Sequence, residues 1–135
     1  MRRVREVQNT MYRHLEAIRK RLPDNPAWVH PDDLAALGVL SGEAVEIRSA
    51  HGCIVARAEA DETLRRGVVS ITHGFGGLGT RDDPNDGGVN VNRLTSATVD
   101  REPINAMPRL TALPVRLRRA PVPDPLPLTA QRPPP

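Results

Sequence analysis

Apolar residues occupy every second position in two neighbouring segments near the centre of the chain. Val45 and Ile47 alternate with Glu46 and Arg48, and the alternation returns at residues 54–58. A period of two places successive side chains on opposite faces of a β-strand. The stretch Ala-His-Gly at residues 50–52 is typical of a turn between two such strands. We therefore expect a β-hairpin at the centre of the chain.

Two helices are predicted upstream of this hairpin. Residues 4–22 carry apolar side chains at steps of three and four, the spacing of an amphipathic helix, and prolines follow directly. A shorter helix is predicted over Pro31–Leu37, because proline suits a first turn, acidic residues follow it, and Gly38 can form the C-terminal cap. His30 precedes this helix and is expected to cap it.

Downstream, the segments are short and separated by turn residues. Residues 68–72 are rich in β-branched side chains, which favour a strand, and a loop rich in Gly, Asp and Asn spans residues 74–88. Residues 89–95 and 113–117 are the last apolar segments that could pair into a sheet. This succession favours a mainly β fold, a small barrel or sandwich with short helices, over a doubly wound parallel sheet.

Composition sets further bounds. The 135 residues suffice for one domain, which we place at residues 1–118, with a disordered proline-rich tail at 119–135. The single cysteine, Cys53, excludes an internal disulfide and a thiolate metal site within this chain. No apolar run approaches the roughly 20 residues that a membrane helix needs. These features favour a cytoplasmic protein.

Part of the glycine-rich loop has the spacing of a nucleotide-binding motif. Gly74–Gly79 has the spacing G-x-G-x-x-G, but that motif must open a helix that holds a pyrophosphate at its N-terminus. The following residues 80–88 include proline and two glycines and cannot continue as a helix. We expect a loop whose bare backbone can approach a ligand closely. The acidic residues of this loop lack the order of a calcium-binding loop, and the histidines are too scattered for a metal site.

Several motifs, in the same order along the chain, resemble one protein family. Residues 25–52 follow the pattern N-x-hydrophobic-x-x-x-P-x-D-A-x-x-L-G-x-x-x-G-D-x-V-x-V-x-S-x-x-G, with Glu43 in place of the aspartate. Later segments resemble the elements P-G-V-V (residues 67–69), H-G (73–74) and N-x-L-T (92–95). The chain thus resembles the C-terminal molybdopterin-dinucleotide-binding domain of the dimethyl sulfoxide reductase and formate dehydrogenase superfamily.

The resemblance implies a double-psi β-barrel that holds a bis(molybdopterin guanine dinucleotide) cofactor against larger catalytic domains, which would carry the molybdenum or tungsten. It makes residues 4–10 a ligand-wrapping loop and leaves a helix only from Tyr12 to Arg21. Carried over by position, the residues expected to contact the cofactor are Arg3, Gln8, Asn9, Thr10, His73, Gly74, Asn92 and Arg93.

The function implied is cofactor binding, as the C-terminal domain or the small subunit of a molybdenum or tungsten oxidoreductase, with no catalytic group from this chain. The family's opening strand should precede Arg2, so we expect an exposed strand edge and association with itself or with the catalytic domains. An alternative is a cofactor-free barrel that binds protein or, less plausibly, nucleic acid through its basic N-terminus. The basic residues concerned are Arg2, Arg3, Arg5, Arg13, Arg19, Lys20 and Arg21.

Overall fold

The computed structural model describes residues 12, 15–76 and 87–121. Four of the expected cofactor contacts (Arg3, Gln8, Asn9 and Thr10) and most of the expected tail lie outside the described residues. The elements are α1 (Glu16–Arg21), β1 (Ala27–Val29), α2 (Pro31–Leu37), β2 (Ala44–Arg48), β3 (Cys53–Ala60), β4 (Val69–Ser70), a 3₁₀ helix (Val91–Leu94) and β5 (Arg116–Arg119). The expected mainly β fold with short helices is confirmed.

The five strands form a sheet in the order β4-β1-β3-β2-β5. β1 pairs with β3 in parallel, and the other three pairings are antiparallel. β3 is the longest strand and lies at the centre, so each half of the sheet is built on it.

The hairpin predicted from the alternating pattern is present as β2 and β3. Val45 lies opposite Ala56, and Ile47 lies opposite Ile54. All four side chains are buried, and they join Val29, Leu34, Val39 and Val89 in the main hydrophobic core. Burial of such aliphatic side chains stabilises a fold by about 25 cal/mol per Å² of apolar surface, so this face of the hairpin contributes to the stability of the domain.

The short helix α2 begins and ends where its sequence predicts. The His30 side chain accepts a hydrogen bond from the backbone N–H of Asp32 at 3.1 Å, which confirms the expected cap. Gly38 ends the helix with a φ of +64°, a conformation that glycine adopts without steric cost. The carboxylate of Asp33 accepts a hydrogen bond from Gly67 N–H at 2.6 Å, which fixes α2 to the turn before β4.

Three elements are present, but their bounds in the structure differ from the predicted ones. α1 begins at Glu16 instead of Tyr12, because Leu15 has an extended conformation that a helix cannot include. The strand predicted at residues 68–72 is reduced to Val69–Ser70, since the Thr72 carbonyl accepts a side-chain hydrogen bond instead of a strand partner. The strand predicted at 113–117 lies later, at Arg116–Arg119, where it pairs with β2.

One prediction was wrong in type, and one strand was missed. Residues 89–95 do not form a strand, because the Asn90 side chain accepts a hydrogen bond from Asn92 N–H and closes a 3₁₀ turn. β1 was not predicted, since it has only three residues between prolines and its parallel partner follows much later in the chain. In the part of the chain that the structure describes, no helix has the length and apolar character to cross a membrane.

Candidate functional site

A buried asparagine joins the two ends of the glycine-rich loop. The Asn25 amide nitrogen donates to the carbonyl oxygens of Thr72, at 2.6 Å, and Val89, at 3.0 Å. Its side-chain oxygen accepts a hydrogen bond from Val89 N–H at 2.7 Å. Buried peptide groups need hydrogen-bond partners, and here one side chain supplies three. Asn25 therefore holds Thr72, which follows β4, close to the buried residue Val89 at the other end of the loop.

The loop is also closed by tight packing at its base. Phe75 is buried, and Gly76 N–H donates to the Gly87 carbonyl oxygen at 3.2 Å. A Cβ atom at Gly76 would lie 2.4 Å from Asn90 N, and one at Gly88 would lie 2.3 Å from Asn25 Oδ1. Both glycines have a positive φ. Gly76, one of the glycines in the spacing noticed in the sequence, and Gly88 thus serve close backbone approach at the base of a loop, as expected for glycine.

The element after this loop is a 3₁₀ helix that displays a polar side chain. The side chain of Leu94 is buried in the core, whereas that of Asn92 is exposed. The Thr95 hydroxyl and backbone N–H both donate to the Asn92 carbonyl oxygen, at 2.8 and 3.1 Å. The N-x-L-T element is therefore a compact turn in which leucine anchors the backbone and threonine fixes the position of the asparagine.

A cavity of about 540 Å³ opens between the β4 segment, the 3₁₀ helix and residues 110–115. Aliphatic side chains make up most of its wall, and its polar side chains are His73, Asn92, Thr95 and Thr111. None of the side chains that line it is charged. Binding sites for small molecules are typically apolar clefts with a few placed polar groups, so this cavity suits an uncharged, largely apolar ligand group.

Comparison with known proteins identifies the family. The model of the family described as "Molydopterin dinucleotide binding domain" matches residues 1–114. The chain belongs to this family. It is a molybdopterin dinucleotide-binding domain of the dimethyl sulfoxide reductase type, as the motifs indicated.

The chain is also similar to parts of two larger proteins. Trimethylamine-N-oxide reductase from Haemophilus influenzae is 32% identical over 69 residues, which cover 51% of this chain and 8% of the reductase. The structure of acetylene hydratase from Pelobacter acetylenicus superposes with a TM-score of 0.64 at 22% identity, over 82% of this chain and 16% of that chain. This chain thus spans a small part of the length of each relative that it matches, and the hydratase supports the fold alone.

The structure brings together two of the residues expected to contact the dinucleotide. His73, at the start of the loop, and Asn92, on the 3₁₀ helix, both line the cavity, although they are distant in sequence. Gly74 and Arg93 follow them directly in the chain but are outside the cavity lining. Arg93 is half-buried, and its carbonyl oxygen faces Gly52 in the β2–β3 turn.

The sequence gives no signal for two buried residues that lie next to this site. Asn25 begins the family pattern and stands next to Pro26, but no local signal shows that its partners lie beyond β4. The buried hydroxyl of Thr72, directly before His73, has no hydrogen-bond partner among the described residues. A buried hydroxyl without a partner is uncommon and calls for an explanation such as a ligand or water.

Two groups of charged side chains are paired on or beside the sheet. Glu46 is buried on β2 opposite Arg118 of β5, and its carboxylate accepts from Arg118 at 2.9 Å and from Arg48 at 3.1 Å. The hydrogen bond from Arg118 lowers the pKa of Glu46. Asp24 binds the Arg57 guanidinium at 2.8 and 2.9 Å and raises its pKa. Because none of these side chains lines the cavity, we interpret both pairs as structural.

Proposed function

We propose that this domain binds the guanine dinucleotide part of a bis(molybdopterin guanine dinucleotide) cofactor, as the C-terminal domain or small subunit of a molybdenum or tungsten oxidoreductase. Family membership supports the cofactor class, and the similarity to a reductase supports the enzyme class. The metal would be held by other domains, and the bound cofactor would supply the redox chemistry. This chain contributes binding and no catalytic group. In the described residues, no group of three or more His, Cys, Asp or Glu is placed to hold a metal.

The observation that carries the proposal is the shared cavity of His73 and Asn92. Guanine and pterin are planar heterocycles with donor and acceptor atoms along their edges. An asparagine amide can donate and accept at once, and a histidine ring can do the same through its two nitrogens. Aliphatic walls can cover the faces of such a ring. The residues present therefore fit the heterocyclic part of the dinucleotide.

The pyrophosphate needs a different environment from this uncharged cavity. Arginine and backbone N–H groups bind phosphate oxygens well. Arg93 follows Asn92, and Gly74, with a φ of +84°, follows His73; both are next to the cavity lining along the chain. We assign the phosphate contacts to these two residues together with Arg3, Gln8, Asn9 and Thr10, which the family resemblance places in the wrapping segment.

The remaining parts of the proposal concern the setting of the domain. We infer a double-psi barrel over residues 1–118, with the tail from 119 outside it. The curled five-stranded sheet supports the barrel. The last strand, β5, ends one residue after this boundary, at Arg119. The partner is the larger body of the oxidoreductase, as the small share of each relative that is covered suggests. A free, half-buried Cys53 suits the reducing cytoplasm.

The test is the Asn92→Ala variant of the assembled oxidoreductase. We expect lower retention of the cofactor, by about 1–3 kcal/mol of binding free energy if a buried polar partner is left unpaired. The readout is the content of metal and of guanine nucleotide per protein. Glu62→Ala, an exposed residue in the turn after β3, is the matched control. Unchanged metal and nucleotide content in Asn92→Ala would contradict the assignment of the site.

A further inference from the structure

Residues 99–110 form a hairpin-like projection, here called the arm. Its stem is held by hydrogen bonds from Arg109 N–H to the Asp100 carbonyl oxygen, at 3.1 Å, and from Glu102 N–H to the Met107 carbonyl oxygen, at 2.8 Å. The Asp100 carboxylate also lies 2.6 Å from Nε2 of His51 in the β2–β3 turn. The arm is thus fixed both within itself and to the core of the domain.

The tip of the arm is preorganised. The Glu102 carboxylate accepts hydrogen bonds from Ile104 N–H at 3.0 Å and from Asn105 N–H at 2.9 Å. The Asn105 side chain in turn accepts from Met107 N–H at 3.0 Å. Ala106 has a φ of +57°, which costs energy in a residue with a side chain and persists only where the surroundings fix it. A rigid tip loses little conformational entropy when it binds a partner.

This ordered tip presents apolar side chains to solvent. Ile104 is 91% exposed, and Val99, Met107 and Leu110 are also exposed. These four make up half of the exposed large hydrophobic residues described, so the exposure is concentrated in one short segment. Exposed apolar groups gathered in this way mark interaction sites more often than scattered ones do.

The charges of the arm indicate the character of its partner. Asp100 and Glu102 are engaged within the domain, by His51 and by the tip. Arg101 and Arg109 are exposed, and neither has an ion pair among the described residues. The arm therefore offers an apolar tip flanked by two available guanidinium groups, which complements an apolar recess edged by carboxylates.

We propose that the arm is the docking element through which this domain is seated on the larger body of its oxidoreductase, with Ile104 and Met107 in an apolar recess and Arg101 and Arg109 facing carboxylates at its edge. This inference rests on the proposed function for the existence of that body. It differs from the cofactor site, because the four docking residues do not line the cavity; within the arm, only Leu110 at its base does.

Site-specific photo-crosslinking in the assembled oxidoreductase tests the proposal. A diazirine amino acid replaces Ile104, and in a matched sample it replaces Leu40, an apolar residue 71% exposed before β2. We expect position 104 to crosslink to one apolar segment outside this domain that has acidic neighbours, and position 40 to give none at that segment. Crosslinks from position 104 only within this domain, or none, would overturn the proposal.

Substitution gives a second measurement. Ile104→Asp should weaken assembly at least about tenfold, as loss of a central interface side chain does, whereas Ile104→Leu and Leu40→Asp should not. The thermal midpoint of the chain should be unchanged in Ile104→Asp, because its side chain lies outside the core. Assembly of Ile104→Asp at the wild-type level would reject the arm as the docking element.

Cofactor content separates the two proposals. Normal metal and guanine nucleotide content with no crosslink from position 104 would reject the arm and leave the proposed function standing. A crosslink from position 104 to the larger body, together with no molybdopterin in the wild-type assembly, would reject the proposed function and support the arm.

Discussion

The side chain of Asn25 pairs with the backbone of Val89 in the way that two strand residues pair through their backbones. The Asn25 carboxamide accepts from Val89 N–H at 2.7 Å and donates to the Val89 carbonyl oxygen at 3.0 Å, across 64 positions of sequence. A side-chain amide has the same donor and acceptor as a peptide group. It can therefore satisfy a buried segment that has no neighbouring strand, and here it holds the two ends of the glycine loop side by side.

Replacement of this amide should destabilise the whole domain. Asn25→Leu removes three hydrogen bonds and leaves buried groups of Thr72 and Val89 without partners, which should cost about 2–4 kcal/mol of unfolding free energy. Urea denaturation of the full chain measures this. Asn105→Leu, which removes one exposed hydrogen bond, should cost less than about 1 kcal/mol. Equal losses in the two variants would show that Asn25 does not hold the loop base.

The loop base should also reject a methyl group at Gly88. Gly88 and Gly42 have similar φ values, +82° and +95°, so alanine is strained by backbone conformation at both. Only at Gly88 would the new Cβ meet another atom, Asn25 Oδ1 at 2.3 Å, while Gly42 has open space. We expect Gly88→Ala to be destabilised by about 1–3 kcal/mol more than Gly42→Ala, the usual cost of overpacking. Similar urea midpoints for the two variants would contradict the observed packing.

Local signals in the sequence were sufficient for some elements. α2 was predicted to the residue, because proline, acidic residues and a C-terminal glycine each act within one turn. The β2–β3 hairpin followed from alternation along adjacent strands. The 3₁₀ helix at Val91–Leu94 was mistaken for a strand, since its apolar residues resemble those of a strand and the deciding contact is the Asn90 cap.

The candidate site depends on contacts that no local pattern contains. The family motifs pointed to His73 and Asn92, but only the folded chain shows that the two share a cavity. Asn25 was passed over because its partners are 47 and 64 positions away. Long-range hydrogen bonds of this kind depend on the sheet order, which a single sequence does not determine.

Acid should weaken the domain through Glu46. Its pKa is lowered in the folded state, chiefly by the hydrogen bond from Arg118, from an ordinary value of 4.5. A carboxyl group with a lowered folded-state pKa stabilises the fold above its unfolded pKa, and this contribution is lost as pH falls through the folded-state value. Unfolding free energy should therefore decline below about pH 4.5.

The variant Glu46→Gln tests how much of the acid dependence of stability comes from the Glu46 carboxyl group. The variant should be less stable than the wild type at neutral pH, and its stability should fall less steeply in acid, as urea denaturation at several pH values would measure. Glu62→Gln, at an exposed position, should keep the wild-type slope. If Glu46→Gln also retains the full acid dependence, other carboxyl groups are responsible for it.

The turn between β2 and β3 should control the cofactor site through Gly52. A Cβ atom on this residue would lie 2.3 Å from the Arg93 carbonyl oxygen, so alanine must move the β2–β3 turn and the 3₁₀ helix that carries Asn92 apart. Gly52 does not have a positive φ, and alanine there introduces no backbone strain of its own. We expect Gly52→Ala to lower guanine nucleotide content in the assembled oxidoreductase several-fold. In Gly42→Ala the backbone is strained, but the new Cβ atom has no neighbour within 4 Å. This variant should be less stable but should keep its guanine nucleotide. Normal nucleotide content in Gly52→Ala would show that the dinucleotide does not depend on the position of the 3₁₀ helix, and with it the role assigned to Asn92 would fail.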